Sequence, residues 1–265
     1  MPELAEVEFQ RKRWDCGIRR KVLRVDAHTE KRIFRDGEGA VLTERLSGAQ
    51  LLGSEARAKL MLFRFSKAVW MGVHLGMSGE LRIEPPDFSP GRHDHLVLFQ
   101  KEQSLVFRDP RMFGRIRVHI GEEPPSWWTE LPPAILSEEW TMERMREFFR
   151  RHGRLAIKAA LLNQTMFPGV GNWMADEILW RARLAPARLC SELTPKQSAA
   201  LWQETREVCR IALETVAVDY ADPPSDWFFH QRWSRDGVCP RDGLPLETAT
   251  IGGRTTRWCR RCQKS

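Results

Sequence analysis

The period of the apolar residues changes near residue 121, and that change restricts the chain to folds that keep strands and helices apart. From about residue 20 to 120 the apolar residues fall in short blocks: Lys59–Phe65 (KLMLFRF), Ala68–Leu75 (AVWMGVHL), His95–Phe99 and the alternating Arg115–Ile120 (RIRVHI). Such blocks, cut by turn formers at 84–87 (EPPD) and 89–91 (SPG), predict strands. Strands that follow one another without helices between them build a sandwich or a barrel rather than a parallel sheet. Gly and Pro crowd 121–126 and 131–133, which read as a linker, and helical spacing then dominates to about residue 218. Ahead of the strands, Leu4, Val7 and Trp14 predict a helix over 2–15, with Pro2 at its first position and Glu3 and Glu6 in its first turn. The class expected is a multidomain α+β protein: a strand-rich domain over 1–120, a linker over 121–135, a helical domain over 136–221 and a C-terminal segment over 222–265.

Composition narrows the partners. The 265 residues suffice to bury a core without staples, and 42 Lys+Arg against 35 Asp+Glu leave a formal charge of +7. That balance suits a polyanion. It is concentrated in 226–265, where eight Lys/Arg face four Asp/Glu, so this segment is the better candidate for phosphate contact. The cysteines, at 16, 190, 209, 239, 259 and 262, are too sparse for the disulfide framework of a small secreted domain. The N-terminus has no apolar signal core, and no stretch approaches the roughly 18 apolar residues that span a bilayer. A soluble cytoplasmic protein with no membrane partner is expected.

Four patterns could carry chemistry. Removal of Met1 would leave Pro2 as a secondary amine, and α-amino groups titrate near ~8, far below lysine, so a neutral nucleophile exists at neutral pH. Glu3 lies beside it to move protons. The same residues also make an ordinary helix start. In Met166–Trp173 (MFPGVGNW) two glycines enter a helix, where backbone N–H groups and Asn172 at the cap could meet a phosphate; a plain helical corner fits as well. Cys239-Pro-Arg-Asp242 and Cys259-Arg-Arg-Cys262 have the spacing of paired metal ligands on two turns, with Asp242 where a fourth thiolate would be expected. A metal-free hairpin is the alternative. In Val106–Gly114 (VFRDPRMFG) a strand leads into a turn on which Arg111 and Phe113 could enter a duplex, or simply decorate the surface. His93 and His95 would share one face of a strand and read as a solvated or phosphate-facing pair.

Taken together, Met1–Glu8 (MPELAEVE), Ala58-Lys59, His74–Gly79 (HLGMSG), His93–His95 (HDH), Asp109–Gly114 (DPRMFG), Gly169–Asn172 (GVGN) and the stretch from Arg254 to Gln263 resemble the formamidopyrimidine-DNA glycosylase and endonuclease VIII family, in order along nearly the whole chain. The resemblance implies an N-terminal helix on a β-sandwich, a helix-two-turn-helix domain and a zinc-ribbon-like C-terminal β-hairpin finger, with DNA in the cleft between. It implies a bifunctional glycosylase and AP lyase of base excision repair, acting as a monomer on double-stranded DNA that carries a damaged base or abasic site. By position Pro2 is then the Schiff-base nucleophile, Glu3 the general acid/base and Glu6 a supporting carboxylate. Lys59 approaches the flipped nucleotide; His93, Asn172 and Arg254 contact phosphates, the last linked to δ-elimination. Met77, Arg111 and Phe113 fill the space left by the everted base, which favours oxidised purines such as 8-oxoguanine and formamidopyrimidine. One structural zinc is expected on Cys239, Asp242, Cys259 and Cys262.

The chain departs from the family pattern in three places. Ala5 stands where a second proline is common, Asp242 replaces the finger's second cysteine, and 220–237 is short for a loop that caps an oxidised purine. Trp227–Trp233 (WFFHQRW) is similar instead to endonuclease VIII, which makes oxidised pyrimidines or hydantoins the alternative substrates. A damage-binding module without catalysis is the alternative of another class. A zinc-ribbon transcription factor would account only for 238–265.

Overall fold

The computed structural model describes residues 1–34 and 38–264. They divide into two compact units, Met1–Pro2 with Glu6–Leu131, and Glu3–Ala5 with Pro132–Ser265.

The first helix, α1 (Leu4–Arg13), starts two residues later than its apolar spacing predicts, so Pro2 and Glu3 stand ahead of it. A helix leaves its first N–H groups without intrahelical partners, and that of Leu4 donates to the Gly169 carbonyl at 3.0 Å. There follow β1 (Arg24–Ala27), α2 (Glu38–Leu46), β2 (Leu51–Arg57), β3 (Leu60–Phe65), β4 (Val69–His74), β5 (Glu80–Glu84), β6 (Asp94–Phe99), β7 (Ser104–Arg108) and β8 (Arg115–Ile120). The strands form two antiparallel four-stranded sheets, ordered β2-β3-β4-β8 and β1-β6-β7-β5. Phe63, Met71 and Ile116 of one sheet share a buried cluster with Leu81, Leu98, Leu105 and Phe107 of the other. Trp14 closes it, its ring 5.0 Å from Phe63 and its Nε1 donating to the Arg82 carbonyl at 3.1 Å. Burial of each such side chain stabilises by about 1.5–3 kcal/mol.

The strands that sequence patterning passed over, β1, β2 and β5, all lie at sheet edges, where polar outward positions dilute the apolar signal. Helix α2, buried through Leu42 and Leu46, interrupts the stretch expected to be all strand. The linker is not bare either, because it holds α3 (Ser126–Thr129). Trp128 joins Leu62 and Trp70 in a small cluster of its own. Trp127 lies where Gly72 leaves room: a Cβ there would come within 2.5 Å of the indole.

The second unit contains α4 (Met142–Arg151), α5 (Ile157–Leu161), α6 (Asn172–Arg181), α7 (Pro195–Glu214), α8 (Val216–Asp219), α9 (Phe229–Arg232) and the hairpin β9 (Glu247–Ile251) and β10 (Arg254–Trp258). Helix α6 is buried on every side from Trp173 to Trp180, so that Asp176 and Glu177 are buried along with its apolar residues. Thr194 caps α7 reciprocally with Gln197, and Pro195 fills a first-turn position whose N–H would have no partner. Gly252 and Gly253 join β9 to β10 with φ of 59° and 71°, the two left-handed residues that a tight hairpin turn requires. Among the described residues no helix is long and apolar enough to cross a membrane.

Candidate nucleic-acid site and metal centre

In the second unit, the side chain of Glu3 ends at the N-terminus of α6. Its carboxylate accepts the backbone N–H groups of Gly171 (2.8 Å), Trp173 (2.9 Å) and Met174 (3.1 Å), and the residue is 3% exposed. Donor groups and helix dipole both favour negative charge at this position. The glycine loop is therefore an anion cradle, as its sequence suggests, but the anion is a carboxylate of the chain itself. The N–H groups of 171, 173 and 174 are not left over for a phosphate. Gly171 is the cap residue of α6, and Asn172, expected at the cap, is the first residue inside the helix.

Asn172 instead reaches the finger, its Nδ2 donating to the Thr255 carbonyl at 2.9 Å, which sets it beside the exposed Arg254. Beneath lies a charge cluster that sequence reading missed. Lys158 is fully buried on α5, and its Nζ donates to the Asn172 carbonyl at 2.8 Å and to Asp176 at 2.5 Å. The other Asp176 oxygen accepts Arg232 Nε and Nη2 at 3.1 and 2.8 Å. One carboxylate thus ties α5, α6 and α9 together. Burial lowers the Lys158 pKa, while Asp176 opposes that shift. Nothing in the spacing of 158, 176 and 232 announces the contact.

Next to Asp176 on α6, Glu177 is fully buried. Its Oε2 accepts the Phe229 N–H at 2.9 Å and its Oε1 has no hydrogen-bond partner. Burial pushes this carboxyl up to about 7, against the pull of the Phe229 N–H.

The first unit holds the remaining candidates. Met1, 48% exposed, precedes Pro2. Lys59 lies in the two-residue turn between β2 and β3 rather than in the strand, after Ala58 at φ 56°, a left-handed conformation that costs a residue with a Cβ. It is buried and faces His74, whose pKa is lowered by burial and by the Lys59 charge. Met77, Arg111 and Phe113 are exposed, Met77 by 46% and Phe113 by 47%. The Arg111 guanidinium carbon lies 4.9 Å from the Phe113 ring centroid. Arg32, which sequence reading did not single out, lies 5.2 Å from the same ring.

The two histidines do not form a surface pair. His93 precedes β6, accepts a hydrogen bond from Arg92 Nε at 2.8 Å and stays partly exposed. His95 is 1% exposed, its Nδ1 3.3 Å from His28 Nδ1 and its Nε2 3.0 Å from the Asp109 carbonyl. The strand begins only at Asp94 and its register shifts before Leu96, so alternation does not extend through both residues. Burial lowers the His95 pKa, the Asp109 carbonyl acting against it.

Cys239, Asp242, Cys259 and Cys262 converge in the second unit, one ligand atom from each lying within 4.8 Å of all the others. Cys239 Sγ is 3.8 Å from Cys262 Sγ, while Asp242 Oδ2 is 3.3 Å from Cys259 Sγ and 3.2 Å from Cys262 Sγ. A tetrahedron with metal–sulfur bonds of about 2.3 Å and a metal–oxygen bond of about 2.0 Å has edges near 3.8 and 3.5 Å, so the spacing fits. Burial and the neighbouring Asp242 and Cys239 groups push the Cys262 thiol up to about 12, the mark of a site crowded with potential anions. These four residues could hold one metal ion. Trp180 Nε1 donates to Cys239 Sγ at 3.4 Å and the Cys259 N–H donates to Gln263 Oε1 at 2.9 Å, so the ligands are braced from outside.

Comparison with known proteins bears on the whole chain. Residues 1–116 match the family model described as formamidopyrimidine-DNA glycosylase N-terminal domain, and 131–221 match the formamidopyrimidine-DNA glycosylase H2TH domain. The formamidopyrimidine-DNA glycosylase of Roseiflexus sp. (strain RS-1) is 33% identical over 276 residues, covering 100% of both chains. That of Thermus thermophilus is 33% identical, covering 99% of this chain and 98% of its own. Among solved structures, wild-type Lactococcus lactis Fpg (MutM) bound to DNA containing an oxidised pyrimidine superposes with a TM-score of 0.88 at 25% identity over 100% of both chains.

Proposed function

Because this chain belongs to the formamidopyrimidine-DNA glycosylase family, we infer that it is a base-excision-repair glycosylase of damaged DNA, and we propose that Pro2, freed of Met1, is its nucleophile. The neutral amine attacks the sugar C1′ and the glycosidic bond breaks, the base leaving with its electron pair and a proton. Glu3 serves the sugar ring oxygen as general acid, and the ring opens to an iminium. Loss of the acidified C2′ proton breaks the C3′–O bond; a second elimination breaks the C5′–O bond and leaves a one-nucleotide gap with phosphate at both ends. Lys59 attends the everted nucleotide, His93, Asn172 and Arg254 hold phosphates, and Met77, Arg111 and Phe113 fill the vacated stack.

The observation that carries this reading is the three-pronged seat of Glu3 on α6, directly after Pro2 in the chain. A carboxylate so fixed has one orientation, which proton transfer to one oxygen requires. Borohydride should trap a covalent enzyme–DNA adduct through the N-terminal residue. Pro2→Gly or retention of Met1 should abolish trapping, and an adduct through a lysine would refute the mechanism. An inert damage-binding protein would leave an abasic oligonucleotide uncut.

Met77, Arg111 and Phe113 together favour oxidised purines. Oxidised pyrimidines are the second reading, favoured by Trp227–Trp233. Excision rates on duplexes with one 8-oxoguanine or one thymine glycol separate the two. At the metal centre, a set of three thiolates and a carboxylate suits zinc, whose role would be to hold the hairpin that carries Arg254.

A further inference from the structure

Met77 and His93 stand on separate loops of the first unit, Arg111 and Phe113 share a third, and one residue touches all three loops. Asp109 is 0% exposed. Its carboxylate accepts the Ser78 hydroxyl at 2.6 Å, next to Met77, and the backbone N–H groups of Arg111 (3.2 Å) and Gly114 (2.7 Å), on either side of Phe113. Its own N–H donates to the His93 carbonyl at 3.0 Å, and its carbonyl accepts the Met112 N–H at 3.2 Å. The turn it braces is strained, with Met112 at φ 53°, and such a conformation persists only where neighbours over-determine it. Gly76, at φ 64°, allows the Met77 turn to press against it: a Cβ on Gly76 would lie 2.3 Å from the Phe113 carbonyl carbon.

Arg32 braces the same turn from outside. Its Nε donates to the Met112 carbonyl at 2.7 Å and its Nη2 to the Arg111 carbonyl at 3.2 Å. Asp109 thus takes N–H groups of the turn, and Arg32 takes its carbonyls. Between them, 111–114 are tied through both kinds of backbone group, and the Arg32 and Arg111 guanidinium carbons lie 5.2 and 4.9 Å from the Phe113 ring centroid.

We propose that Asp109 and Arg32 are positioning residues that set how strictly the enzyme reads the base opposite the lesion. This rests on the proposed role of Arg111 at the unpaired base. A planar guanidinium discriminates between bases only if its origin is held to a fraction of an ångström. The turn, not the arginine alone, carries that precision.

The test is the spread of single-turnover excision rates over four duplexes with the lesion opposite cytosine, adenine, guanine or thymine. Asp109→Asn keeps the shape of the side chain but presents an NH2 group to one set of donors. Arg32→Ala alters an exposed side chain, so it probes the same turn without disturbing the core. Arg111→Ala is the reference. Both positioning variants should shrink the spread by about tenfold, towards that of the reference. Cleavage of a single-stranded abasic oligonucleotide, which has no opposite base, should stay at the wild-type rate. The proposal is overturned if Arg32→Ala keeps the full spread while Arg111→Ala loses it, or if single-strand cleavage falls in step with the duplex rates. If Arg111→Ala itself keeps the spread, the role assigned to Arg111 fails, and the proposal with it.

Discussion

Gly171→Ala tests the seat of Glu3 with a single methyl group. Gly171 has φ −124°, an extended conformation that alanine adopts freely, so the backbone raises no objection. The obstacle is the carboxylate: the new Cβ would lie 2.2 Å from Glu3 Cδ, 2.4 Å from Oε1 and 2.5 Å from Cγ. Non-bonded carbons settle near ~3.5–4.0 Å, so the carboxyl group must retreat by at least about 1 Å. Hydrogen bonds to a charged acceptor contribute roughly 1.5–3 kcal/mol each, and losing two of the three removes about 3–6 kcal/mol of anchoring. A catalytic group displaced by about 1 Å slows chemistry by about a hundredfold. Single-turnover excision should fall by at least that factor, with Tm lower by several degrees as α6 loses partners for its first N–H groups. Affinity for an uncleavable abasic-site analogue, measured by titration, should change far less. A variant that excises at the wild-type rate with the wild-type Tm would show that Glu3 does not act from the N-terminus of α6.

Asp176→Asn leaves Lys158 and Arg232 buried without their shared counter-charge, and denaturant melts should show a loss of about 3–5 kcal/mol; an unchanged midpoint would remove the cluster from the stability argument. The Glu177 carboxyl is raised from 4.5 to about 7 by burial, so its contribution is fully present below about pH 4.5 and is lost as pH rises through 7. Glu177→Gln should therefore gain on wild type between those values, by on the order of 3 kcal/mol, and equal it in stability near pH 4; parallel pH profiles would contradict the assignment. Asp242→Ala should release the metal, and Asp242→Cys should hold it against a chelator that strips the wild type. Full metal content in the alanine variant, by elemental analysis, would take Asp242 out of the ligand set.

Much of the fold was legible because it rests on local periodicity. The central strands β3, β4 and β6 are apolar on both faces and cannot be mistaken, and β8 alternates cleanly although it lies at an edge. Edge strands β1, β2 and β5 escaped because half of each faces away from the core. The cluster that could hold a metal was legible for a different reason: its four candidate ligands come in two short pairs whose spacing is itself the signal, and Asp242 lies where the second cysteine was expected. The exposed Arg111 and Phe113 stood out as a cation and an aromatic on a turn and Met77 through a family motif, whereas Arg32 carries no local pattern and Asp109 entered only as the first residue of DPRMFG, with nothing to show its bracing role.

The chain alone determined its two structural regimes and its candidate metal-ligand set, since each is written in the spacing or type of residues close together in sequence, and family resemblance added the proposed role of Pro2. Tertiary structure decided what those groups do to one another. Glu3 meets α6 across 168 positions, Lys158 meets Asp176 across 18, and Asp109 bridges loops from 78 to 114. Periodicity records only which face of an element is apolar. Which buried donor meets which buried acceptor depends on how the packed elements bring distant backbone together, and desolvation then makes each such meeting obligatory.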